Sequence, residues 1–327
     1  MKNFLAIVFI SISLHISAET GYQYFNRASD AFRKGNLREA IVLFTKSIKK
    51  RPQYSPIYNN RGLVWLKLKE YDNAIKDFSL AIKFCSSNFS AYYNRARAWQ
   101  ALKNFSNAIK DYSELIKFEK NNYKAYNNRG RCWEALFEYE KALSDYDRAI
   151  ELNTEIPHSY YNRGNIFRKT EKYQQAIDDY TKVLRIKPRY WDALFNRAIV
   201  YSHLKLFKKA VEDYTSIIQK NKLAVDAYLN RGISWIDLKE YSIAIKDFDY
   251  IIKIDKENAD AYFNKAICLY YLENYENAIF DFTNAIKLNP KKNRYYLNRS
   301  IAWKKLGKIK NSNIDYEMYK ILKSKSD

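Results

Sequence analysis

The stretch that decides the fold reads YNNRG at residues 58–62, followed by Trp65, by AIKDF at residues 74–78 and by Ala81. The same series returns from Tyr92 and again from Tyr126. A fixed period of this length, about 34 residues, indicates an array of stacked structural repeats, each of which contacts only its neighbours.

The periodic region is long and regular. From Gly21, nine segments of equal length, one period each, follow one another without insertion or deletion as far as Ser326. We number these segments repeats 1 to 9, and the residues within each are positions 1 to 34. The repeats span residues 21–54, 55–88, 89–122, 123–156, 157–190, 191–224, 225–258, 259–292 and 293–326.

Each repeat carries small and aromatic residues at helical spacing. Position 8 is always Gly, Ala or Ser, position 20 is Ala in the first eight repeats, and position 24 is always Phe or Tyr. With Tyr at position 4 in eight repeats and Trp at position 11 in five, these residues share one face of each of two helices. We predict that each repeat is a helical hairpin whose small residues let the two helices approach closely. Neighbouring hairpins then stack to bury their faces.

These residues resemble the tetratricopeptide repeat, and the resemblance covers nearly all of the chain from Gly21 onwards. It implies an all-α fold, a right-handed superhelical α-solenoid of helix-turn-helix repeats. Two departures are visible. Position 32 is Pro in only three repeats, and position 7, usually Leu in the family, is Arg in eight repeats and Lys265 in the other.

The basic residue at position 7 has an acidic counterpart at position 23, which is Asp in every repeat except the first. We interpret the two as a structural charge pair that ties the helices of one hairpin together, as in Arg61 with Asp77 and Arg129 with Asp145. If such a pair is buried, removing one partner is expected to cost about 3–5 kcal/mol.

The resemblance also places a candidate binding surface. Position 6, which lines the concave surface in this family, is Asn in all nine repeats. A row of amides offers donors and acceptors that match a peptide backbone. The alternative is that each Asn bonds a neighbouring helix as part of the repeat framework. The candidate groove residues of this row are Asn60, Asn94, Asn128, Asn162, Asn196, Asn230 and Asn264.

Positions 5 and 9 line the same implied surface and differ along the chain. Repeats 3 and 4 carry Arg97 and Arg131 at position 9, which predicts a basic, polar half of the groove. The later repeats predict an apolar half that is a candidate interaction site, unless adjacent repeats cover these positions. The apolar candidates are Phe195, Ile199, Leu229, Ile233, Phe263 and Ile267.

One known use of such grooves is not supported. Some family members clamp a peptide's terminal carboxylate with Lys at position 5 of one repeat and Arg at position 6 of another. No repeat here has either residue at that position.

The whole-chain composition leaves two classes of partner open. Lys and Arg number 57 against 36 Asp and Glu, a net charge of +21. This excess fits a solvated Lys-rich surface, because the basic residues are dispersed, and it also fits an anionic partner such as nucleic acid or an acidic membrane. The leading hypothesis is a non-enzymatic scaffold that binds another protein or peptide, and the alternative is an anion-binding protein.

Catalysis is not indicated. The chain has three His residues and no HExxH, GxGxxG or GxxxxGK motif. We therefore predict no catalytic residues, no cofactor, no metal site and no small-molecule substrate. Cys85, Cys132 and Cys268 form no CxxC motif and are expected to be small buried side chains.

The two ends of the chain differ from the repeats between them. Lys2 precedes an apolar run at residues 4–10, and Ala18 is the best cleavage position, so residues 1–18 are expected to be a secretory signal peptide. The location is then periplasmic, secreted or in the secretory pathway. An uncleaved membrane anchor is the alternative. At the other end, the second helix of repeat 9 is expected to present a polar outer face, as a terminal repeat requires.

Overall fold

A computed structural model describes residues 19–325 of the chain, so the expected signal peptide at residues 1–18 lies outside the described residues. The described residues form helices and connecting turns without a strand. Repeats 1–4 contain α1 (Gly21–Arg33), α2 (Leu37–Lys50), α3 (Ser55–Lys67), α4 (Tyr71–Phe84), α5 (Phe89–Ala101), α6 (Phe105–Phe118), α7 (Tyr123–Ala135) and α8 (Tyr139–Leu152). Repeats 5–9 contain α9 (Pro157–Lys169), α10 (Tyr173–Ile186), α11 (Trp191–His203), α12 (Phe207–Lys220), α13 (Val225–Asp237), α14 (Tyr241–Ile254), α15 (Ala259–Tyr271), α16 (Tyr275–Leu288), α17 (Asn293–Lys305) and α18 (Ile309–Ser324).

The turn between the two helices of a repeat is closed by a residue in the left-handed conformation at position 15. In repeat 2 this residue is Lys69, with φ of 63°. Its N–H donates to the carbonyl of Leu66 at 3.1 Å, and the N–H of Glu70 donates to the carbonyl of Trp65 at 2.9 Å. These two bonds satisfy carbonyls at the end of the first helix. Position 15 is Gly only in the first and last repeats, so seven repeats hold a non-glycine residue with positive φ.

The close approach of the two helices depends on the small residue at position 8. A Cβ on Gly62 would lie 2.6 Å from Phe78, the position 24 ring of the same repeat, and a Cβ on Gly130 would lie 2.8 Å from the ring of Tyr146. The alanines at position 20 are fully buried in all eight repeats that have them. These positions form the core between paired helices.

By its internal contacts the structure divides into two compact units. Unit 1 ends at Leu152 and contains α1–α8, and unit 2 begins at Asn153 and contains α9–α18. Within each unit, second helices pack on the first helices of the following repeats, for example α4 on α5 and α12 on α13. The nine-repeat array with the boundaries given above stays a prediction.

The terminal helix differs from expectation. Of its outer residues, Ile314 is 63% exposed and Ile321 is 48% exposed, and Met318 is exposed as well. The expectation of a polar outer face was therefore wrong for these three positions. The reason is that no further hairpin packs on them among the described residues.

None of the described helices combines the length and the apolar character needed to cross a membrane.

Candidate functional site

Arginine at position 7 forms a bidentate pair with the aspartate at position 23 of its own repeat. In repeat 2, Nε of Arg61 donates to Oδ2 of Asp77 at 2.8 Å, and Nη2 donates to Oδ1 at 2.7 Å. The same two bonds, at 2.6–2.9 Å, join Arg95 to Asp111, Arg129 to Asp145, Arg163 to Asp179, Arg197 to Asp213, Arg231 to Asp247 and Arg299 to Asp315.

A third bond from this arginine reaches the preceding repeat, which sequence reasoning missed. Nη1 of Arg61 donates to the hydroxyl of Thr45 at 2.9 Å, so one guanidinium joins three helices. The sequence does contain a sign of this bond, because Ser or Thr recurs at position 25 of the repeats. The same bond joins Arg95 to Ser79, Arg129 to Ser113, Arg197 to Thr181, Arg231 to Thr215 and Arg299 to Thr283.

The single lysine at position 7, Lys265, follows a repeat that has Asp at position 25, as Arg163 does. Lys265 lies 2.8 Å from Asp249 of the preceding repeat and 3.4 Å from Asp281 of its own. An ammonium is a compact charge without the planar fork of a guanidinium, so Lys265 lies between two carboxylates and forms no bidentate pair.

Burial dominates the electrostatics of these pairs. It raises the pKa of Asp145, although the Arg129 guanidinium by itself lowers it. The carboxylate of Asp145 is almost inaccessible to solvent and is already held by two hydrogen bonds. The pair therefore belongs to the framework of the hairpin and is not offered to a ligand.

Most of the asparagines at position 6 use their amide donors within the protein. In unit 1, Nδ2 of Asn94 donates to Oδ1 of Asn59 at 3.3 Å, Nδ2 of Asn128 donates to the Tyr93 hydroxyl at 3.0 Å, and Oδ1 of Asn60 accepts from Asn59. The residues that accept these hydrogen bonds from Asn94 and Asn128 thus lie in the first helix of the preceding repeat.

The same is true of Asn196 in unit 2, which donates to the Tyr161 hydroxyl at 3.2 Å, and Asn162 also has a partner. Asn230 and Asn264 donate to main-chain carbonyls four residues earlier in their own helices, both at 2.8 Å. These contacts favour the alternative that the asparagines belong to the repeat framework. The side-chain oxygen of Asn128 is used as well, because it accepts from Nδ2 of Asn127 at 3.3 Å.

In unit 1, the first helices of repeats 3 and 4, together with Phe105 at the start of α6, line an open cavity of about 660 Å³. It brings together three of the residues predicted for the groove, namely Arg97, Asn128 and Arg131. The remaining lining residues are Tyr93, Gln100, Ala101, Phe105 and Ala135. Arg97 and Arg131 are exposed, and neither guanidinium has a carboxylate partner among residues 19–325.

The floor of this cavity is a chain of hydrogen bonds. The hydroxyl of buried Tyr112 donates to Oε1 of Gln100 at 2.7 Å, and Nε2 of Gln100 donates to the main-chain carbonyl of Asn128 at 3.2 Å. Asn128 in turn donates to the Tyr93 hydroxyl. Because that oxygen accepts from Asn128, the O–H of Tyr93 is left to donate into the cavity.

The predicted apolar half of the groove is largely covered. Phe263 was placed in the groove wrongly, because it is 5% exposed and packs against the rings of Phe282 and Tyr295 at 5.7 and 4.7 Å. The guanidinium of Arg294 covers its ring at 4.8 Å.

The other apolar candidates are intermediate in their exposure to solvent. Phe195 and Leu229 are partly buried against one core cluster, and Ile267 is partly buried against another. Ile199 is also half-buried. Ile233 is 37% exposed and is the most accessible member of this set.

Metal-binding side chains and cysteine thiols are two further sources of chemistry that the described residues could offer. The structure gives no group of three or more His, Cys, Asp or Glu side chains arranged to hold a metal ion within residues 19–325. Burial raises the pKa of Cys132 and of Cys268 to about 12, which keeps both thiols protonated at neutral pH.

Comparison with known proteins gives one family. Sequence models described as "Tetratricopeptide repeat" match residues 55–88, 89–122, 123–154, 157–190 and 259–292, which together cover more than half of the chain.

Solved structures agree with this assignment. The crystal structure of YrrB, described as a tetratricopeptide repeat protein with an unusual peptide-binding site, is 26% identical, covers 55% of this chain and 92% of its own, and has a TM-score of 0.51. A tetratricopeptide repeat protein from Parabacteroides merdae is 16% identical over 86% of this chain and 98% of its own, with a TM-score of 0.51. Pseudomonas aeruginosa pilF is 14% identical over 63% of this chain and 94% of its own, with a TM-score of 0.55. The last two likenesses show the fold alone. The sequence matches and the helical hairpins therefore show that the chain belongs to the tetratricopeptide repeat family.

Proposed function

We propose that this chain is a non-enzymatic scaffold that binds an extended segment of another protein along the first helices of consecutive repeats. Tetratricopeptide repeat proteins are generally protein-interaction scaffolds. YrrB, at 26% identity, is described as having a peptide-binding site. The observation that carries the proposal is the cavity in unit 1, where polar side chains of two consecutive first helices line one space of about 660 Å³.

The dimensions of the cavity suit part of a peptide. Ligand pockets usually measure about 300–1,000 Å³. A second space of about 250 Å³ shares Tyr93 with the first and is lined also by Phe89, Asn94 and Lys124. Two adjoining spaces along consecutive helices fit successive side chains of an extended chain better than one compact metabolite.

A steric block tests the proposal without changing the charge of the groove. Ala101 lines the cavity and is exposed, so Ala101→Trp fills the space without disturbing the core. Peptides selected from a random display library against the full chain are expected to bind this variant at least about tenfold more weakly. Lys110→Trp, on the exposed face of the second helix of the same repeat, is the control and is expected to bind normally.

The result against the proposal is equally clear. If the library yields no binding peptide, or if the selected peptides bind Ala101→Trp as well as they bind the control, the cavity is not a peptide site.

The alternative function, binding of nucleic acid or an acidic membrane through the net charge of +21, predicts a different result. The affinity would then fall steeply with salt and would depend on the number of charges engaged, not on their place. A gel shift with duplex DNA and sedimentation with anionic vesicles, each at low and high salt, distinguish this function from peptide binding.

We also propose that the scaffold acts outside the cytoplasm, because an apolar run follows Lys2 and ends at small residues near Ala18. Cell fractionation with N-terminal sequencing tests this proposal. A cytoplasmic protein that keeps its first residues would overturn it.

A further inference from the structure

We propose that the cavity of repeats 3 and 4 is a subsite for a carboxylate side chain, so that the preferred partner is an acidic peptide segment. This inference rests on the proposed peptide-binding function and names the chemistry that the site selects. It follows from the groups that line the cavity and from the hydrogen bonds that those groups have already made.

Two arginines give the cavity its positive charge. Arg97 and Arg131 occupy position 9 of consecutive repeats and line the same cavity. Both guanidinium groups lie close enough to lower the pKa of the Tyr112 hydroxyl, against the larger effect of burial, which raises it. Glu134, three residues after Arg131, faces the Tyr146 hydroxyl and does not line the cavity. Two positive charges with no carboxylate on the cavity wall create a local field that attracts an anion.

The balance of hydrogen-bond donors and acceptors in the cavity also favours an anion. The acceptors on the floor are occupied, because Gln100 Oε1 accepts from Tyr112 and the main-chain oxygen of Asn128 accepts from Gln100. The hydroxyl oxygen of Tyr93 accepts from Asn128 and leaves its own O–H to donate. No Asp or Glu lines the cavity. The open groups are therefore donors, and their best complement is a ligand group that only accepts.

A carboxylate is that group. An ionised carboxylate carries two acceptor oxygens and no donor, and it binds a guanidinium in a bidentate geometry. The charge also sets the class of partner, because an acidic protein segment presents carboxylates at the spacing of its residues. The adjoining space is lined by both Lys124 and Glu119, so the excess of positive charge is confined to the cavity that holds the two arginines.

The arginines at position 7 provide the contrast. Arg95 and Arg129 lie in the same helices, but each is held by the aspartate of its own hairpin and by a hydroxyl of the preceding repeat. These contacts neutralise the charge of Arg95 and Arg129 within the framework. Of the arginines at positions 7 and 9 in these two helices, only those at position 9 are available to a ligand.

The experiment compares two peptides and two double variants of the full chain by fluorescence anisotropy. The probes are a fluorescein-labelled dodecapeptide with a central Glu-Ser-Glu and the same peptide with Gln-Ser-Gln. The site variant is R97Q/R131Q. The control is K76Q/K110Q, which removes the same charge from exposed positions that lie one repeat apart on second helices. All four side chains are exposed, so circular dichroism is expected to show unchanged folding.

We expect the Glu peptide to bind at least about tenfold more tightly than the Gln peptide, and R97Q/R131Q to abolish that difference while K76Q/K110Q retains it. Equal binding of the two peptides to the unaltered chain would overturn the inference while leaving the peptide-binding function intact. Equal losses in the two variants would overturn it in favour of general attraction to the basic surface. Failure of every peptide in the display selection would instead reject the proposed function itself.

Anionic vesicles and duplex DNA serve as further probes. If vesicles or DNA bind the unaltered chain and K76Q/K110Q but not R97Q/R131Q, and the chain shows no preference for the Glu peptide, the inference is overturned. The site would then bind the membrane or the nucleic acid.

Discussion

Repeats 3 and 4 in unit 1 and repeats 7 and 8 in unit 2 share one framework and present different surfaces. All four have a basic residue at position 7, Asp at position 23 and Ala at position 20. Positions 9, 12 and 24 differ as a set. In repeats 3 and 4 they are Arg97, Gln100, Tyr112, Arg131, Glu134 and Tyr146. In repeats 7 and 8 they are Ile233, Ile236, Phe248, Ile267, Tyr270 and Phe282.

The ring at position 24 and the residue at position 12 change together. In repeats 3 and 4, the buried tyrosine at position 24 donates to the polar residue at position 12, Tyr112 to Gln100 and Tyr146 to Glu134. In repeats 7 and 8 the ring is Phe. The framework thus fixes the hairpin, while the residues at positions 9 and 12 and the para substituent at position 24 decide whether the first helices offer a polar or an apolar surface.

The largest expected effect tests whether the framework is the same in both regions. Asp145→Ala in repeat 4 and Asp247→Ala in repeat 7 each remove a buried carboxylate and leave a largely buried guanidinium without its partner. Each is expected to cost about 3–5 kcal/mol in the free energy of unfolding. Urea denaturation followed by circular dichroism measures both. The double variant R129L/D145L, which removes both charges, is expected to lose less than Asp145→Ala. A loss in one repeat only would mean that the two regions do not share a framework.

The second prediction sharpens the assignment of the apolar region. Phe263→Ala removes a buried ring and is expected to destabilise the protein by about 3–5 kcal/mol. Ile233→Ala, at a partly exposed position of the preceding repeat, is expected to cost much less, because its methyl groups are already in contact with water. Equal losses in thermal denaturation would contradict the burial assigned to Phe263.

The third prediction exchanges the floor of one region for that of the other. Gln100→Leu removes the acceptor of the buried Tyr112 hydroxyl and is expected to cost about 1–3 kcal/mol. Adding Tyr112→Phe, which reproduces the apolar pairing of repeat 7, is expected to restore most of the loss. If the double variant is less stable than Gln100→Leu alone, the hydroxyl does not depend on Gln100.

The smallest effect concerns the turns, which are alike in both regions. Lys69→Gly, at a residue with φ of 63°, is expected to stabilise the protein by up to about 1 kcal/mol, because glycine adopts this conformation without a steric penalty. Lys76→Gly, within a helix, is the control and is expected to destabilise it by about 1 kcal/mol. A loss of stability in both variants would show that Lys69 is not strained.

The parts of the fold that follow from periodicity could be predicted from sequence. The small residues at position 8 and the pairing of Arg61 with Asp77 follow from residue types that recur at fixed spacing along the chain. The hydroxyl of Thr45 was missed, because it belongs to the preceding repeat and Ser or Thr on a helix has no single structural meaning. The division into two units was also invisible, because the period does not change at Leu152.

The candidate site was harder to predict, because burial depends on neighbours. Phe263 shares position 5 with Leu229, yet the rings of Phe282 and Tyr295 and the side chain of Arg294 enclose it. An asparagine has both a donor and an acceptor, so the sequence alone does not decide whether its amide faces a ligand or a helix. Arg97 and Arg131 were predictable as basic groove residues, but the cavity that joins them required the positions of Tyr93 and Gln100.

The central claim is that surface positions on a constant framework decide what this protein binds. The most direct measurement is the affinity of the Glu-Ser-Glu peptide for a chain in which Arg97, Gln100, Tyr112 and Arg131 are replaced by Ile, Ile, Phe and Ile, the residue types of repeats 7 and 8. We expect this chain to stay folded and to bind the peptide at least about tenfold more weakly than the unaltered protein. A folded chain that binds the acidic peptide with unchanged affinity would contradict the claim.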